Sequence, residues 1–333
     1  MFDRRKTLKL AASLILFSLV TPAAAAQDKK EKKPAPAGTA VLWRAPEDIS
    51  ARDLFLGPGG REMRPDLSSL TFLKEETGGY SKKYRVRDGR GRVWVAKVGR
   101  EAQAETAAVR LVWAVGYMTE INYLAPCVAI EGAPPPGKDV ETCAGGRLAN
   151  VRFEARPEGV RRLDEWKWSE NPFVGTKELQ GLIVMMSLLN NWDIKDTNNK
   201  ILYVPGGGGD GELRYIVSDL GATFGRVKLD VPGLWRIRRN RNDPEDYAKD
   251  AFLEDVKGGQ VYLFYKGKRQ DLFDDIRVEE ARWIAGLLTK LSARQIEDAF
   301  RAANYSPEEV RVLTAAVRGR IDELSAIPAR AAV

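Results

Sequence analysis

The sequence predicts an α+β fold in two lobes, a small antiparallel β-rich N-lobe followed by a larger, mostly helical C-lobe. Short stretches rich in β-branched and aromatic residues, separated by glycine-containing turns, fill the part before Arg100. Beyond Pro172, apolar residues recur instead at helical spacing. This change of period along the chain separates the two lobes.

In the N-lobe, turn residues divide the chain into short strands, with one helix among them. The helix follows from Ala104, Ala108, Leu111 and Val115, which recur on one face before a closing glycine. The predicted strands are 71–74, 82–87, 93–98, 123–130 and 151–155, and the helix is 101–115.

In the C-lobe, the pattern predicts four helices and one hairpin. Ser306 followed by Pro307 is a typical helix start, with a side-chain cap and proline in the first turn. The predicted helices are 179–190, 278–291, 293–303 and 307–324, and the hairpin joins 200–204 to 213–217 through a glycine-rich tip.

The N-terminus has the pattern of an export signal. Four basic residues precede a short apolar run that ends in alanines, so residues 1–26 are predicted to be a signal peptide of the Sec or the twin-arginine type. The predicted organisation is then a disordered linker (27–40), the N-lobe (41–155), the C-lobe (156–326) and a tail (327–333). We expect a periplasmic or extracellular protein with no transmembrane span in the mature chain.

Composition excludes several kinds of chemistry. The 333 residues include no histidine and two cysteines, which excludes a Cys/His zinc site and any histidine-dependent triad. Cys127 and Cys143 could form a disulfide in an oxidising compartment or stay as two thiols. The net charge falls from +7 to +4 without the four basic residues and Asp3 of the signal, so no nucleic-acid partner is predicted.

Three polar residues in the C-lobe form the most specific pattern of the chain. Asp193 is followed five residues later by Asn198, and the apolar strand after the hairpin leads directly into Asp219-Leu220-Gly221. Carboxylate and amide oxygens suit Mg²⁺, and two of them with phosphate oxygens and waters complete an octahedron. Turn chemistry explains any one of these residues, but not their order.

The N-lobe supplies residues that could contact phosphates. Lys97 ends the strand 93–98, and Glu105, or Glu101 one turn earlier, could orient it from the following helix. Gly78, Gly79 and Ser81 lie in the loop between the first two strands, where backbone amides could cover phosphates. The same glycines also suit an ordinary turn.

This ordered set resembles the protein-kinase-like superfamily, in particular its atypical branches: HipA-like toxin kinases, phosphatidylinositol 3-/4-kinases and secretory-pathway casein kinases. The resemblance covers residues 71–225 and implies a phosphotransferase that uses ATP and Mg²⁺. It implies that Lys97 contacts phosphates, that Glu105 orients Lys97, and that Asp193 is catalytic. Metal would be held by Asp219 and by Asn198, or by Asn199 if the loop carries one extra residue. Asn191-Trp192 stands where kinases have His-Arg, and no Ala-Pro-Glu follows.

Three functions remain open on the sequence. The first is an exported, atypical kinase-like transferase that phosphorylates a hydroxyl of a protein, lipid or sugar. The second is a catalytically weak pseudokinase that binds a nucleotide or a partner in the cell envelope. The third is an envelope interaction protein in which these residues form turns. The arginines between 236 and 241 could bind an acidic substrate or form a solvated run.

Overall fold

We describe the structure from a computed structural model, in which residues 36–76, 81–137, 140–206, 210–230 and 236–329 are described. Residues from Pro36 onward form one compact unit. The predicted signal peptide, most of the predicted linker, and Gly78 and Gly79 lie outside the described residues. None of the described helices combines the length and the apolar character needed to cross a bilayer.

The first part of the chain is built on an antiparallel sheet, as predicted. Its strand order is β2-β3-β4-β7-β5, and β6 pairs with β7. The elements are β1 (Gly38–Val41), β2 (Leu70–Glu76), β3 (Lys83–Asp88), β4 (Val93–Lys97), α1 (Glu101–Ala114), β5 (Asn122–Val128), β6 (Thr142–Cys143) and β7 (Arg147–Ala155).

The two faces of this sheet differ in character because side chains alternate along a strand. Tyr84, Trp94 and Phe153 are fully buried on one face, inside an apolar core. The residues next to them point the other way, where the strand register aligns Lys97 of β4 with Arg152 of β7. One face therefore forms the core of this part, and the other carries charge.

The second part contains the remaining helices, together with short strands. These elements are β8 (Arg161–Arg162), α2 (Lys177–Leu188), β9 (Asn199–Val204), β10 (Gly211–Val217), β11 (Val227–Asp230), β12 (Arg236–Arg239), α3 (Pro244–Ala248), β13 (Leu253–Lys257), β14 (Gln260–Leu263), α4 (Val278–Leu288), α5 (Ala293–Ala302) and α6 (Pro307–Ser325). The predicted α+β class is confirmed, with the four predicted helices and the β9–β10 hairpin in place.

Six elements of the second part were not predicted: β8, β11 to β14 and the short helix α3. Each is only two to five residues long, as in Arg-Ile-Arg-Arg of β12. A segment this short contains too little of an apolar period to be recognised from the sequence. The strands are formed by pairing with a partner: β8 with β9, β11 with β12, and β13 with β14.

Strand β1 was not predicted from the sequence. Gly38 lies inside the stretch assigned to the linker, yet β1 pairs in parallel with β10 and aligns Gly38 with Gly211. A Cβ atom on Gly38 would stand 2.7 Å from the Gly211 carbonyl oxygen, so the close approach requires glycine. The ordered chain therefore starts before residue 40, as an edge strand of the sheet β1-β10-β9-β8.

Helix α2 lies in the core of the second part, and its C-terminus is fixed by α6. Arg320 of α6 is buried, and its guanidinium donates to the Leu188 carbonyl at 2.8 Å and to the Tyr247 carbonyl at 3.1 Å. These bonds satisfy carbonyls that a helix end leaves without intrahelical partners. The loop that follows α2 consequently starts from a rigid point.

The structure decides between the two alternatives for the cysteines: Cys127 in β5 is bonded to Cys143 in β6. The two cysteines are 16 residues apart in sequence, and closing a loop of that length stabilises the protein by about 3 kcal/mol.

We expect the double variant Cys127→Ala/Cys143→Ala to lose roughly that much free energy of unfolding, measured by urea titration. Dithiothreitol should lower the stability of the wild type and leave the double variant unchanged, and an equal effect on both would contradict the prediction.

Candidate active site

The loop 190–198 after α2 is held from several sides. Asn190 has a φ of 51°, a left-handed conformation that ends α2 and that asparagine tolerates well. Its amide donates to the Gly225 carbonyl at 2.7 Å. The hydroxyl of Tyr265 donates to the Asn191 carbonyl at 2.7 Å, and the Lys268 amide donates to the Trp192 carbonyl at 2.8 Å. Asp193 is therefore displayed from a fixed backbone.

Asn198 connects Asp193 to the strand that carries Asp219. Its amide nitrogen donates to the Asp193 carbonyl at 2.7 Å and approaches the Asp193 carboxylate at 3.4 Å. Its own backbone carbonyl accepts from the amides of Ser218 at 2.8 Å and of Asp219 at 3.3 Å. Two segments more than twenty residues apart in sequence are thus joined at one asparagine.

The structure distinguishes the two candidate asparagines by their surroundings. Asn199 is fully buried, and its amide donates to the Trp166 carbonyl at 3.0 Å, away from the cleft. Asn198 lines the cleft together with Asp219. The side-chain oxygen of Asn198 is left to accept a ligand, because its nitrogen is used toward Asp193.

Lys97 lies at the centre of a group of carboxylates. Its ammonium is 2.8 Å from Glu105, 2.8 Å from Glu101 and 3.5 Å from Asp219. Burial acts against the ammonium, but Glu105 and Asp219 outweigh it and raise the pKa of Lys97 above its ordinary value of 10.5. Lys97 is therefore positively charged at every physiological pH, as a phosphate contact requires.

Asp219 stands at the turn that follows β10. Its carboxylate accepts from the Gly221 amide at 3.2 Å, and a Cβ on Gly221 would lie 2.8 Å from Glu101. The glycine lets this turn pack against the start of α1. Burial acts against the carboxylate, but Lys97 and the Gly221 amide outweigh it and lower the pKa of Asp219 below 3.8. Asp219 is therefore ionised and available to a cation.

Both candidate glutamates contact Lys97, but they have different further partners. Glu105 also pairs with Arg152 at 3.2 Å. Glu101 accepts short hydrogen bonds from Ser81 and from Arg241. Ser81, which the sequence placed among the phosphate-covering residues, thus bonds to Glu101 and lines a neighbouring cleft instead.

Two sets of residues at this site were not predicted from the sequence. Arg152 of β7 is buried beside Lys97 and pairs with Glu105, Glu120 and Glu154, the last two at 3.0 and 3.1 Å. The alternation of Arg152, Phe153 and Glu154 could have indicated that both charges share one face of a strand.

Lys195 and Lys268 approach the Asp193 carboxylate at 3.2 and 2.5 Å. Lys268 is 75 positions away in the sequence, and no local pattern indicates it.

The donor atoms suit the ligands that the sequence implies. The free oxygen of Asn198 and the carboxylate of Asp219 are hard oxygen donors, and Mg²⁺ is typically bound by one or two protein ligands together with phosphate oxygens and waters. Lys97 supplies a fixed positive charge beside them. These three side chains would hold a magnesium ion and the phosphate chain of a triphosphate.

Comparisons with known proteins give one similar structure to report. No protein-family model matches the chain, and no curated protein does. A crystal structure of the Helicobacter pylori proinflammatory kinase CtkA is similar with a TM-score of 0.46 and 11% sequence identity, covering 78% of this chain and 95% of that chain.

Proposed function

We propose that this protein is a kinase-like phosphotransferase that transfers the terminal phosphoryl group of Mg-ATP to a hydroxyl group of a protein, lipid or sugar. The observation that carries the proposal is the convergence of Lys97, Asn198 and Asp219, three residues from distant parts of the chain, on one cleft. Lys97 is ion-paired with Asp219, and Asn198 is bonded to Asp193. The signal-like residues 1–26 favour activity outside the cytoplasm.

Each residue has a role that follows from its chemistry. Lys97, held by Glu105, would bind the phosphate oxygens, and Asn198 and Asp219 would hold Mg²⁺, which neutralises charge on the phosphates. Asp193 would accept the proton of the attacking hydroxyl. Lys195 and Lys268 hold the Asp193 carboxylate in place through ion pairs at 3.2 and 2.5 Å.

The pseudokinase alternative is supported by the same two lysines. An Asp193 carboxylate that stays paired with Lys268 at 2.5 Å would be a poor proton acceptor. Binding of Mg-ATP without any transfer would establish this alternative, so the two functions are separated by one assay.

We expect Asp193→Asn to retain binding of Mg-ATP and to lose phosphoryl transfer by about 100-fold or more, because general-base contributions are of that size. Binding is measured by calorimetry, and transfer by release of labelled phosphate from ATP to water or to the protein itself. Asp193 is not a predicted metal ligand, so affinity should change little.

The matched control is Asp196→Asn on the same loop, whose carboxylate pairs with Arg269 at 2.9 Å, whereas the Asp193 carboxylate is approached by the Asn198 amide at 3.4 Å. It should transfer phosphate like the wild type. Wild-type protein that binds no Mg-ATP would refute the proposed function, and an Asp193→Asn variant with full activity would refute the role of Asp193.

A further inference from the structure

The geometry points to a phosphate donor that is held by its phosphate chain, because the described lining of this cleft offers little apolar surface to an adenine base. We infer that inorganic triphosphate and longer polyphosphates fit the cleft as well as ATP does. The inference deepens the proposed function and rests on it, because it concerns the donor used by the same site.

The wall of the cleft formed by the first sheet is charged. Paired residues of an antiparallel sheet lie on the same face, and the register aligns Lys83 with Lys97 and Lys97 with Arg152. Two residues further along the strands, and so on the same face, it aligns Val95 with Glu154. The large apolar residues of these strands, such as Tyr84, Trp94 and Phe153, lie on the opposite face, in the core.

The opposite wall of the cleft is charged as well. Lys200 of β9 lines it two residues after Asn198 and pairs with Glu165 at 2.6 Å. Arg162 of β8 pairs with Glu120 at 2.5 Å, and its guanidinium donates to the Ser218 hydroxyl at 2.7 Å. A planar ring placed between the two walls would meet lysine, arginine and glutamate on both sides.

The complete lining shows how little apolar surface is available among the described residues. The cleft has a volume of about 570 Å³, and Val95 is the one apolar residue of its described lining. The others are Lys83, Lys97, Glu105, Arg152, Glu154, Arg156, Arg162, Glu165, Lys195, Thr197, Asn198, Lys200, Ser218 and Asp219.

This lining is a poor match for a purine and a good match for phosphates. Pockets for organic ligands are predominantly apolar, with a few polar groups that fix orientation. A base buried here would separate charged groups from water without replacing their hydrogen bonds. The described lining carries seven cationic side chains and four carboxylates. Six of these cations are ion-paired, and four of them pair with Glu101, Glu120 or Asp193, which lie outside the described lining. Lys83 is therefore the cation of the described lining that phosphate oxygens would neutralise.

Lys83 is the residue we assign to the phosphate chain beyond the part held by Lys97. It shares a face with Lys97 and lines the cleft, and among the described residues no carboxylate is within ion-pair distance of it. Arg152, by contrast, is neutralised by three glutamates. A ligand phosphate therefore finds an available cation at Lys83.

The transfer step balances for either donor. The acceptor oxygen forms a bond to the terminal phosphorus, and the bond from that phosphorus to its bridging oxygen breaks. The bridging oxygen leaves with the electron pair on a chain shortened by one phosphate, and the hydroxyl proton passes to Asp193. ATP would yield ADP, and triphosphate would yield pyrophosphate.

The test is calorimetry of the full chain with Mg²⁺ and three separate probes: ATP, inorganic triphosphate and adenosine. We expect the dissociation constants of ATP and triphosphate to agree within about threefold and adenosine to give no binding. Base stacking contributes about 1–3 kcal/mol, or roughly 5- to 150-fold in affinity, so a base site would be evident. ATP binding about 30-fold tighter than triphosphate, or measurable adenosine binding, would overturn the inference and leave the proposed function standing.

A pair of variants tests the assigned contact. Lys83→Ala should weaken the binding of ATP and of triphosphate by the same factor, about tenfold, as expected for the loss of one charge-assisted contact. Arg87→Ala is the matched control, because Arg87 is an exposed cation on the same strand that does not line the cleft. Unchanged affinity of Lys83→Ala for both ligands would refute the contact. If the wild type binds neither ATP nor inorganic triphosphate, the proposed function itself is refuted.

Discussion

Replacing Asp219 with asparagine is expected to abolish Mg²⁺-dependent binding of ATP, with a loss in affinity of about 100-fold or more, which corresponds to roughly 2.8 kcal/mol. Asparagine keeps the size of the side chain and an oxygen that can accept from the Gly221 amide. It removes the negative charge that would hold the ion. Calorimetry with ATP in the presence and absence of Mg²⁺ measures the effect directly.

The fold itself should tolerate this change. Lys97 loses its contact with Asp219 at 3.5 Å but keeps Glu101 and Glu105, both at 2.8 Å. We therefore expect the melting temperature of unliganded Asp219→Asn to stay within a few degrees of the wild type, with Asp196→Asn as the matched control. Mg-ATP binding of normal strength in Asp219→Asn would refute the metal site.

The second large effect is expected at Arg152, because its guanidinium is buried among Glu105, Glu120 and Glu154. Arg152→Met keeps most of the side-chain volume but removes the cation that these three carboxylates share. Removing one partner of a buried ion pair typically costs about 3–5 kcal/mol. Urea unfolding should show that loss as a lower midpoint with an unchanged m value.

Two further variants separate charge from packing. Arg156 pairs with Glu154 at the edge of the same cluster, where its side chain is 26% exposed, so Arg156→Met should cost less than about 1 kcal/mol. Adding Glu120→Gln to Arg152→Met should recover part of the stability, because it removes one of the buried carboxylates that Arg152 neutralises. An Arg152→Met variant within about 1 kcal/mol of the wild type would contradict the structural role of the cluster.

The stability lost in Arg152→Met is expected to become smaller in acid. Burial acts against the Glu154 carboxylate, but Arg156, Arg152 and Arg162 outweigh it and hold the pKa of Glu154 far below its ordinary value of 4.5. A carboxyl group whose pKa is lower in the folded than in the unfolded protein stabilises the fold at any pH above its unfolded pKa. This stabilisation is lost as the pH falls toward the pKa of the folded protein. Burial raises the pKa of Glu105, and Arg152 is the strongest group that opposes this, so Glu105 should take up a proton more readily in Arg152→Met. The difference in free energy of unfolding between wild type and Arg152→Met should thus narrow as the pH falls, first through Glu105 and then, in stronger acid, through Glu154.

Much of the framework could be predicted because it depends on patterns within a few residues. The spacing of apolar residues indicated α1, α2 and the last three helices, and the turn residues indicated β2, β3 and β4. Lys97 at the end of a strand and Asp219 after another are recognisable for the same reason. Strands β11 to β14 were missed because each is only four or five residues long and is stabilised by its pairing partner.

The sequence by itself determined the order of lysine, glutamate, aspartate, asparagine and aspartate, and it excluded histidine chemistry. The tertiary structure alone decided that Asn198 and not Asn199 faces the cleft, that Lys268 reaches Asp193, and that Arg152 is neutralised by three glutamates. The physical reason is that periodicity and capping act between neighbours along the chain. An ion pair between distant segments depends on strand register and on loop paths, which are settled only when the whole core has packed.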